Sequence, residues 1–195
     1  MKGLEDTDAL ASVVVFDTET GGLDPFTHSI LSIGLVSFDG TRRKEIFVRE
    51  PEIVSHPRSM QVNGIDLDWI RNNGVSPRDA VVEVEAFLDA VAPNRPESPA
   101  MLVGHNVAFD MAYMRRMYSL AAFPFPREFS HRSVDTHTLL WSLAMTGTLP
   151  HDATSSDGAF KYFQIEPPPE ARHTALGDAL ATRDLLEQLL PLIAG

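Results

Sequence analysis

Residues 11–21 read Ala-Ser-Val-Val-Val-Phe-Asp-Thr-Glu-Thr-Gly, and the order of residue types in that stretch decides the fold. Ala11 to Phe16 is a continuous apolar run rich in valine. Such a run suits a strand buried on both faces, the central strand of a sheet covered by helices. It then meets acids. Asp17 and Glu19 stand two apart where the strand is expected to end, and in extended backbone residues i and i+2 point the same way. Both carboxylates therefore face one space. Like charges that close repel, and one pKa rises unless a cation lies between them. Acids at a strand edge are common, so this pair alone does not identify a site.

Working outward, Gly21-Gly22 and Asp24-Pro25 mark a loop, and Ser29 to Phe38 reads as a second strand. Asp39-Gly40 is a hairpin turn, with Glu45 to Arg49 as the returning strand. Pro51 to Gly74 carries the signals of short helices and turns. Ser76-Pro77-Arg78-Asp79 is a helix start with a capping hydroxyl, a first-turn proline and an acid near the positive end. Val81, Val84, Phe87, Leu88 and Val91 give that helix its apolar stripe. Pro93 to Pro99 reads as a surface loop. Met101 to Val103 is a short buried strand, and a helix is expected from about Ala108 to Leu120. Phe123 to Phe129 reads as a structured loop, Val134-Asp135 as the end of a short strand, and Thr138–Met145 as a helix. Residues 147–157 are polar. A short helix at Gly158–Phe163 is expected to stop at Pro167-Pro168-Pro169, before a long helix over Thr174–Leu190. A strand meander followed by alternating helices and strands predicts an α/β domain, a mixed sheet with helices on its faces. Sites in such sheets lie beyond the carboxyl ends of strands, where Asp17 and Asn106 are expected.

Composition narrows the chemistry. With 195 residues and 44% apolar content, the chain suits one domain, with a core over about 11–190. It has no cysteine, which excludes a disulfide scaffold, a thiolate metal site and thiol nucleophilic catalysis. Residues 1–10 lack the basic start and apolar run of a secretory signal, and no apolar run is long enough for a membrane, so cytoplasm is the expected location. A net charge of −11 argues against a nonspecific duplex binder with a broad basic surface. Two divalent ions would offset some of that charge and still leave the surface negative, which favours short substrates, single-stranded ends or a basic partner.

Two further segments carry misplaced-looking charge. Asp110 shares a helix face with Met114 and Met117, and Asp178 shares one with Ala181, Leu185 and Leu189. A charge on a buried face needs a partner or a metal. His173 stands just before the second of these helices, able to lean over the same cleft. Each has an ordinary reading: a dipole-stabilised acid, a solvent-facing histidine. Jointly, carboxylates brought to one end of a domain call for multivalent cations. Oxygen ligands without sulfur suit Mg2+ or Mn2+ better than zinc, and four acids suit two ions about 4 Å apart.

These residues resemble the DEDD 3′-5′ exonuclease superfamily in its histidine subgroup (DEDDh), which includes the proofreading subunit of bacterial replicative polymerase, ribonuclease T and oligoribonuclease. The family's Asp-x-Glu-Thr-Gly stands at 17–21, its His-Asn-x-x-Phe-Asp at 105–110, and its His followed five residues later by Asp at 173 and 178. Val62-Asn63-Gly64-Ile65 is similar to the family's intermediate segment, with Asn63 where histidine is frequent. The tyrosine subgroup is disfavoured because Thr174 occupies its tyrosine's place. The resemblance spans roughly residues 11–190. It implies a ribonuclease H-like fold with a five-stranded mixed sheet, and metal-dependent removal of nucleoside 5′-monophosphates from 3′ ends. It also implies that Asp17, Glu19, Asp110 and Asp178 bind two Mg2+ or Mn2+ ions, with Asp17 touching both and His173 as general base. An imidazole exchanges protons near neutral pH, which suits that role. Thr20 and Leu23 take the family position for the terminal nucleotide. Phe109 is read either as a stacking ring or as packing between helix and sheet. Asn106 is read as orienting a ligand or capping the helix after it. The Phe123–Phe129 loop is a second stacking candidate, with plain packing as its alternative. His105, Asp135 and His137 are not taken as ligands.

Partners expected from this reading are single-stranded DNA or RNA 3′ ends and no membrane, with a homodimer and a polymerase or other protein partner left open. Proofreading, DNA repair and RNA trimming all fit, as does action on very short RNAs. Competing readings are an inactive nucleic-acid-binding or scaffold module, and a different metal phosphohydrolase built on the same side chains.

Overall fold

Alternation along β1 (Val13–Thr20) divides the molecule into two layers. Val14 and Phe16 pack with Leu35, Ile46 and Leu102 beneath helices α4 (Pro77–Val91) and α5 (Val107–Leu120). Val13 and Val15 point the other way, against Val103 and Leu186 of α8 (Ala175–Ala194). The structure, a computed structural model, describes residues 8–95, 99–126, 129, 133–167 and 171–194. Among these, β2 (Ile30–Ser37), β3 (Arg43–Phe47), β4 (Met101–Gly104) and β5 (Ser133–Asp135) join β1 in a sheet of order β3-β2-β1-β4-β5. β1 is antiparallel to β2 and parallel to β4; β2–β3 is antiparallel and β4–β5 parallel. The remaining helices are α1 (Asp8–Ala11), α2 (Pro57–Asn63), α3 (Leu67–Asn73), α6 (Thr136–Met145) and α7 (Ser156–Phe163), with a 3-10 turn at His151–Thr154. Among the described residues no helix is long and apolar enough to cross a membrane.

Local chemistry sets most boundaries. Ser76 caps α4 by accepting from Asp79 N, as its sequence signal predicts. Asp66 caps α3 by accepting from Asp68 N and Trp69 N. Asp135 accepts from His137 N, so α6 begins at Thr136, two residues before the expected start. The short helix α7 ends at Gln164, held at φ 57°, so its stop precedes the prolines that were expected to supply it; Pro168 and Pro169 lie outside the described residues. α8 runs through Pro191 to Ala194 instead of stopping at Leu190. At its described residues the phenylalanines of the Phe123–Phe129 loop pack on the core, Phe123 and Phe125 in part. Phe129 is 1% exposed, and its ring lies 5.5 Å from that of Phe125, which also meets Tyr118. Residues 127 and 128, and 96–98 of the expected Pro93–Pro99 loop, lie outside the described part.

The main departure concerns β1, which continues four residues past Phe16. Asp17 pairs with Gly34, Thr18 with Ile33 and Thr20 with Ile30, with an irregularity at Glu19/Thr20. Ladder hydrogen bonds from β2 outweigh the polarity of these side chains. Gly34 also sets how closely α8 approaches. A Cβ there would lie 2.2 Å from the Ala175 carbonyl oxygen, so the first turn of α8 rests on bare backbone. Gly34→Ala is expected to destabilise by about 3 kcal/mol through forced displacement of that turn, checked by the urea midpoint at unchanged slope.

Candidate metal and nucleotide site

The alternation that sorts the core also sorts the acids. Asp17 and Glu19 fall on the face of β1 that meets α8, and Asp178 stands in the first turn of that helix. One oxygen from each of Asp17, Glu19 and Asp178 lies within 4.8 Å of the others. Thr18 points to the opposite face and meets α5. Its backbone N–H donates to Asp110 Oδ1 at 3.0 Å and its hydroxyl donates to the same oxygen at 2.6 Å. Asp110, 3% exposed, is thereby fixed beside the strand, near enough for its charge to raise Asp17 and Glu19.

The charges feel one another. Burial, then Asp110, Asp178 and Glu19, hold Asp17 well above the usual carboxylate range. Burial and Asp178 push Glu19 up to about 8, against a lowering hydrogen bond from Asn63. Burial pushes Asp110 up to about 7, although both Thr18 donors oppose it. Asp178 is raised by burial despite Arg172 and His173 nearby. Asp178 Oδ1 is buried and has no hydrogen-bond partner among the described residues. Buried oxygens are seldom left so, and Asp178 offers an oxygen within 4.8 Å of ones from Asp17 and Glu19. The donor set fits a hard divalent cation: oxygen only, crowded and anionic.

His173 is exposed and sits in the left-handed region at φ 60°, immediately before the residue that caps α8. Thr174 Oγ1 accepts from Gly177 N at 3.0 Å and donates to the Ala171 carbonyl at 2.9 Å. Gly177 makes this approach feasible, since a Cβ there would lie 1.8 Å from Ala171 O. The histidine joins Asp17, Asp178 and His105 around a cavity of about 200 Å³. Arg172 ties the segment to α7 by an ion pair with Asp157 at 2.7 Å and by lying 5.3 Å over the Phe160 ring.

Glu19 also borders a second hollow, a groove of about 420 Å³. Thr20, Leu23 and Phe109 line it, as do Arg58, Val62 and Asn63 of α2. Leu23 is 83% exposed at its edge. The Gly22 carbonyl beneath it is held by two hydroxyls, Thr20 Oγ1 and Tyr113 Oη, each at 2.7 Å. Thr20's hydroxyl is thus engaged by the loop itself. Phe109 both packs on the core and lines the groove. Asn106 is not among the groove's lining residues. It sits at φ 58° with no side-chain cap bond to α5, and its backbone N–H donates to Asp135 Oδ1 at 2.8 Å. Sequence reasoning missed Arg58, Arg172 and Glu45. Glu45, whose Oε1 accepts from Leu176 N at 3.5 Å, adds to the charge that raises Glu19. Only the neighbourhood of Val62–Ile65 and of His173 hinted at the first two.

A family model described as Exonuclease matches residues 14–186. The chain belongs to this exonuclease family. Among exonuclease-related proteins, it is 32% identical over 183 residues to a DNA polymerase III subunit epsilon-like protein of Rhodobacter capsulatus, a match covering 92% of this chain and 24% of that protein. It is 28% identical over 102 residues to the 3′-5′ DNA exonuclease Cap18 of Escherichia coli, covering 52% and 54%. The chain therefore spans about a quarter to a half of these relatives. Among solved structures, the nuclease domain of 3′hExo, a DEDDh family member bound to rAMP, superposes at TM-score 0.73 with 13% identity, over 92% of this chain and 91% of that one. E. coli exonuclease I in complex with a dT13 oligonucleotide superposes at TM-score 0.71 with 17% identity, over 93% and 42%. The five-stranded mixed sheet flanked by helices is thus the ribonuclease H-like exonuclease fold that the motifs imply.

Proposed function

We propose that the chain is a metal-dependent 3′-5′ exonuclease that hydrolyses the terminal phosphodiester bond of single-stranded DNA or RNA and releases nucleoside 5′-monophosphates. The observation that carries this is the orphaned Asp178 oxygen among three converging carboxylates, beside a groove of nucleotide dimensions. The names of relatives support the polarity, since Cap18 is called a 3′-5′ DNA exonuclease. Two Mg2+ or Mn2+ ions held by Asp17, Glu19, Asp110 and Asp178 would acidify the attacking water and offset charge on the phosphoryl oxygens.

The protein's own groups do the rest. Asp17 feels the charges of Asp110, Asp178 and Glu19 at once, which suits a ligand shared by both ions. Thr18 locks Asp110 in one orientation, which preorganises the site. His173, on the cavity wall with Asp17 and Asp178, accepts the proton of the attacking water at an imidazole nitrogen. Leu23 and Phe109 embrace the terminal base, and the backbone around Thr20 meets the 3′-hydroxyl. Arg58, which forms no ion pair among the described residues, suits a phosphate at the groove's edge. The epsilon-like relative supports a polymerase as a partner class.

A 5′-labelled oligonucleotide with a free 3′-hydroxyl, incubated with magnesium, should shorten stepwise and release nucleoside 5′-monophosphates. A 3′-phosphate block should stop the reaction. Internal cleavage of the blocked strand would overturn the proposal in favour of another metal phosphohydrolase.

A further inference from the structure

His173 holds a backbone conformation that its side chain disfavours, and the residue before it is clasped by a separate helix. Ala171, Arg172, His173 and Thr174 form a tight turn. Thr174 N donates to the Ala171 carbonyl at 3.4 Å, and Thr174 Oγ1 donates to the same oxygen at 2.9 Å. His173 stands third in this turn at φ 60°, a place that glycine or asparagine fills with least strain. A histidine there is a cost that the backbone bears for the ring, and strain of this kind gathers at functional sites. The ring lines the same cavity as Asp17 and Asp178.

Arg172 stands second in the turn, so whatever holds its side chain also sets the direction of the next one. Its Nη2 donates to Asp157 Oδ1 at 2.7 Å, and its guanidinium lies 5.3 Å over the Phe160 ring. Both partners belong to α7, and both line the cavity that His173 lines. Phe160 is buried with Leu140, Leu185 and Leu189, so one end of the clasp is anchored in a core cluster. The start of α7 is fixed closely as well. Ser155 Oγ accepts from Gly158 N at 3.1 Å, and a Cβ on Gly158 would lie 1.9 Å from the Asp152 carbonyl oxygen. Asp157's side chain is 81% exposed, and an ion pair so open to water adds little to stability. Its effect is on direction.

We propose that Arg172 is a positioning residue for the reaction: clasped between Asp157 and Phe160, it holds the turn so that the His173 imidazole reaches the water that attacks the terminal phosphodiester. The proposal rests on the exonuclease reading, with His173 as base, for what the ring does once placed. The clasp itself rests on the contacts with α7. Helix α7 thereby belongs to the catalytic apparatus although it carries none of the four metal-binding acids. A base displaced by about 1 Å can cost about a hundredfold in rate, so a contact of small stability can have a large kinetic effect.

Steady-state shortening of a 5′-labelled oligonucleotide with magnesium tests the role. Arg172→Met should lower kcat by about thirty- to a hundredfold and change KM by less than about threefold. Asp157→Asn, which loosens one end of the clasp, should lower kcat by about fivefold, and Tm should move by less than about 4 °C in both variants. In a His173→Ala background, adding Arg172→Met should cost less than about twofold, because the arginine acts through that ring. A full loss in that background would make Arg172 a direct phosphate contact and sink the positioning role, as would an unchanged kcat in Arg172→Met alone. Trypsin cleavage of the native, metal-free protein at the Arg172–His173 bond, followed by mass spectrometry, reads the clasp without catalysis. Asp157→Asn should quicken that cleavage about two- to fivefold, the share of an exposed ion pair, and leave cleavage after Arg183 in α8 unchanged. Equal cleavage at Arg172 in both proteins would remove the clasp. Quicker cleavage in Asp157→Asn, with no shortening of the oligonucleotide by the unsubstituted protein, would count against the exonuclease reading and leave the clasp standing.

Discussion

Replacing Asp17 by asparagine is expected to slow 3′-end shortening by on the order of a thousandfold, while making the metal-free protein more stable. The two effects share one cause. Asp17 lies among Asp110, Asp178 and Glu19, and all three raise its pKa, as burial does. Its charge is tolerable only when a cation balances it, and the cation is what the reaction needs. Asparagine keeps the shape and removes the charge, so the remaining acids ionise more readily and hold metal less well. In a protein of this size each kcal/mol relieved raises Tm by about 2–4 °C, and a gain of several degrees at pH 8 in chelator is expected. This is the usual trade of stability for activity at a strained charged site. Calorimetry beside a gel assay checks it. A variant that loses activity and stability together would make Asp17 a structural residue and remove the centre of the proposed site.

Raising the pH should destabilise the chelated protein, and magnesium or manganese should cancel the effect. Glu19 and Asp110 have folded-state pKa values of about 8 and about 7, against ordinary values of 4.5 and 3.8, and Asp17 and Asp178 are raised as well. Between the ordinary and the raised values the folded chain binds more protons than the unfolded one. Stability therefore falls as pH climbs through that window, from about pH 4 to about pH 8. Most acidic proteins with salt-bridged carboxylates lose stability in the opposite direction, on acidification. Several kcal/mol are at stake across the cluster, a large fraction of a typical domain's total. Between pH 6 and 8.5 in chelator Tm should fall by about 5–10 °C, and saturating metal should flatten the curve. A flat profile without metal would mean that the four acids do not share one space.

Much of this molecule was legible in the chain because local rules governed it. The valine run before Asp17, the Asp39-Gly40 turn and the Ser76-Pro77 helix start each name their own structure through side-chain branching, positive-φ tolerance or a capping oxygen. The i, i+2 spacing of Asp17 and Glu19 and the apolar stripes that include Asp110 and Asp178 marked the acids as misplaced unless something compensated them. Where local signals were read too literally, tertiary pairing prevailed. β1 continued through Thr20 because β2 offered it ladder partners. α7 stopped at Gln164 before the prolines. Asn106 took a left-handed backbone and its side chain does not cap α5, while its backbone N–H donates to Asp135.

The motifs at 17–21, 105–110, 173 and 178 carried the resemblance to the exonuclease family; the patterning of the sequence by itself determined which residues carry charge where burial is expected, and that the fold is a mixed-sheet α/β one. It could do so because period-2 and period-3.6 patterns are properties of neighbours along the chain. Only the tertiary structure decided that Asp17, Glu19 and Asp178 converge while Thr18 holds Asp110 near enough to act on Asp17. Only it placed Arg58 of α2 along the groove that Glu19 borders. Those facts depend on how closely α8 settles onto Gly34 and on how Thr18 reaches Asp110, 92 residues away. Packing distances of that kind have no signature in local spacing.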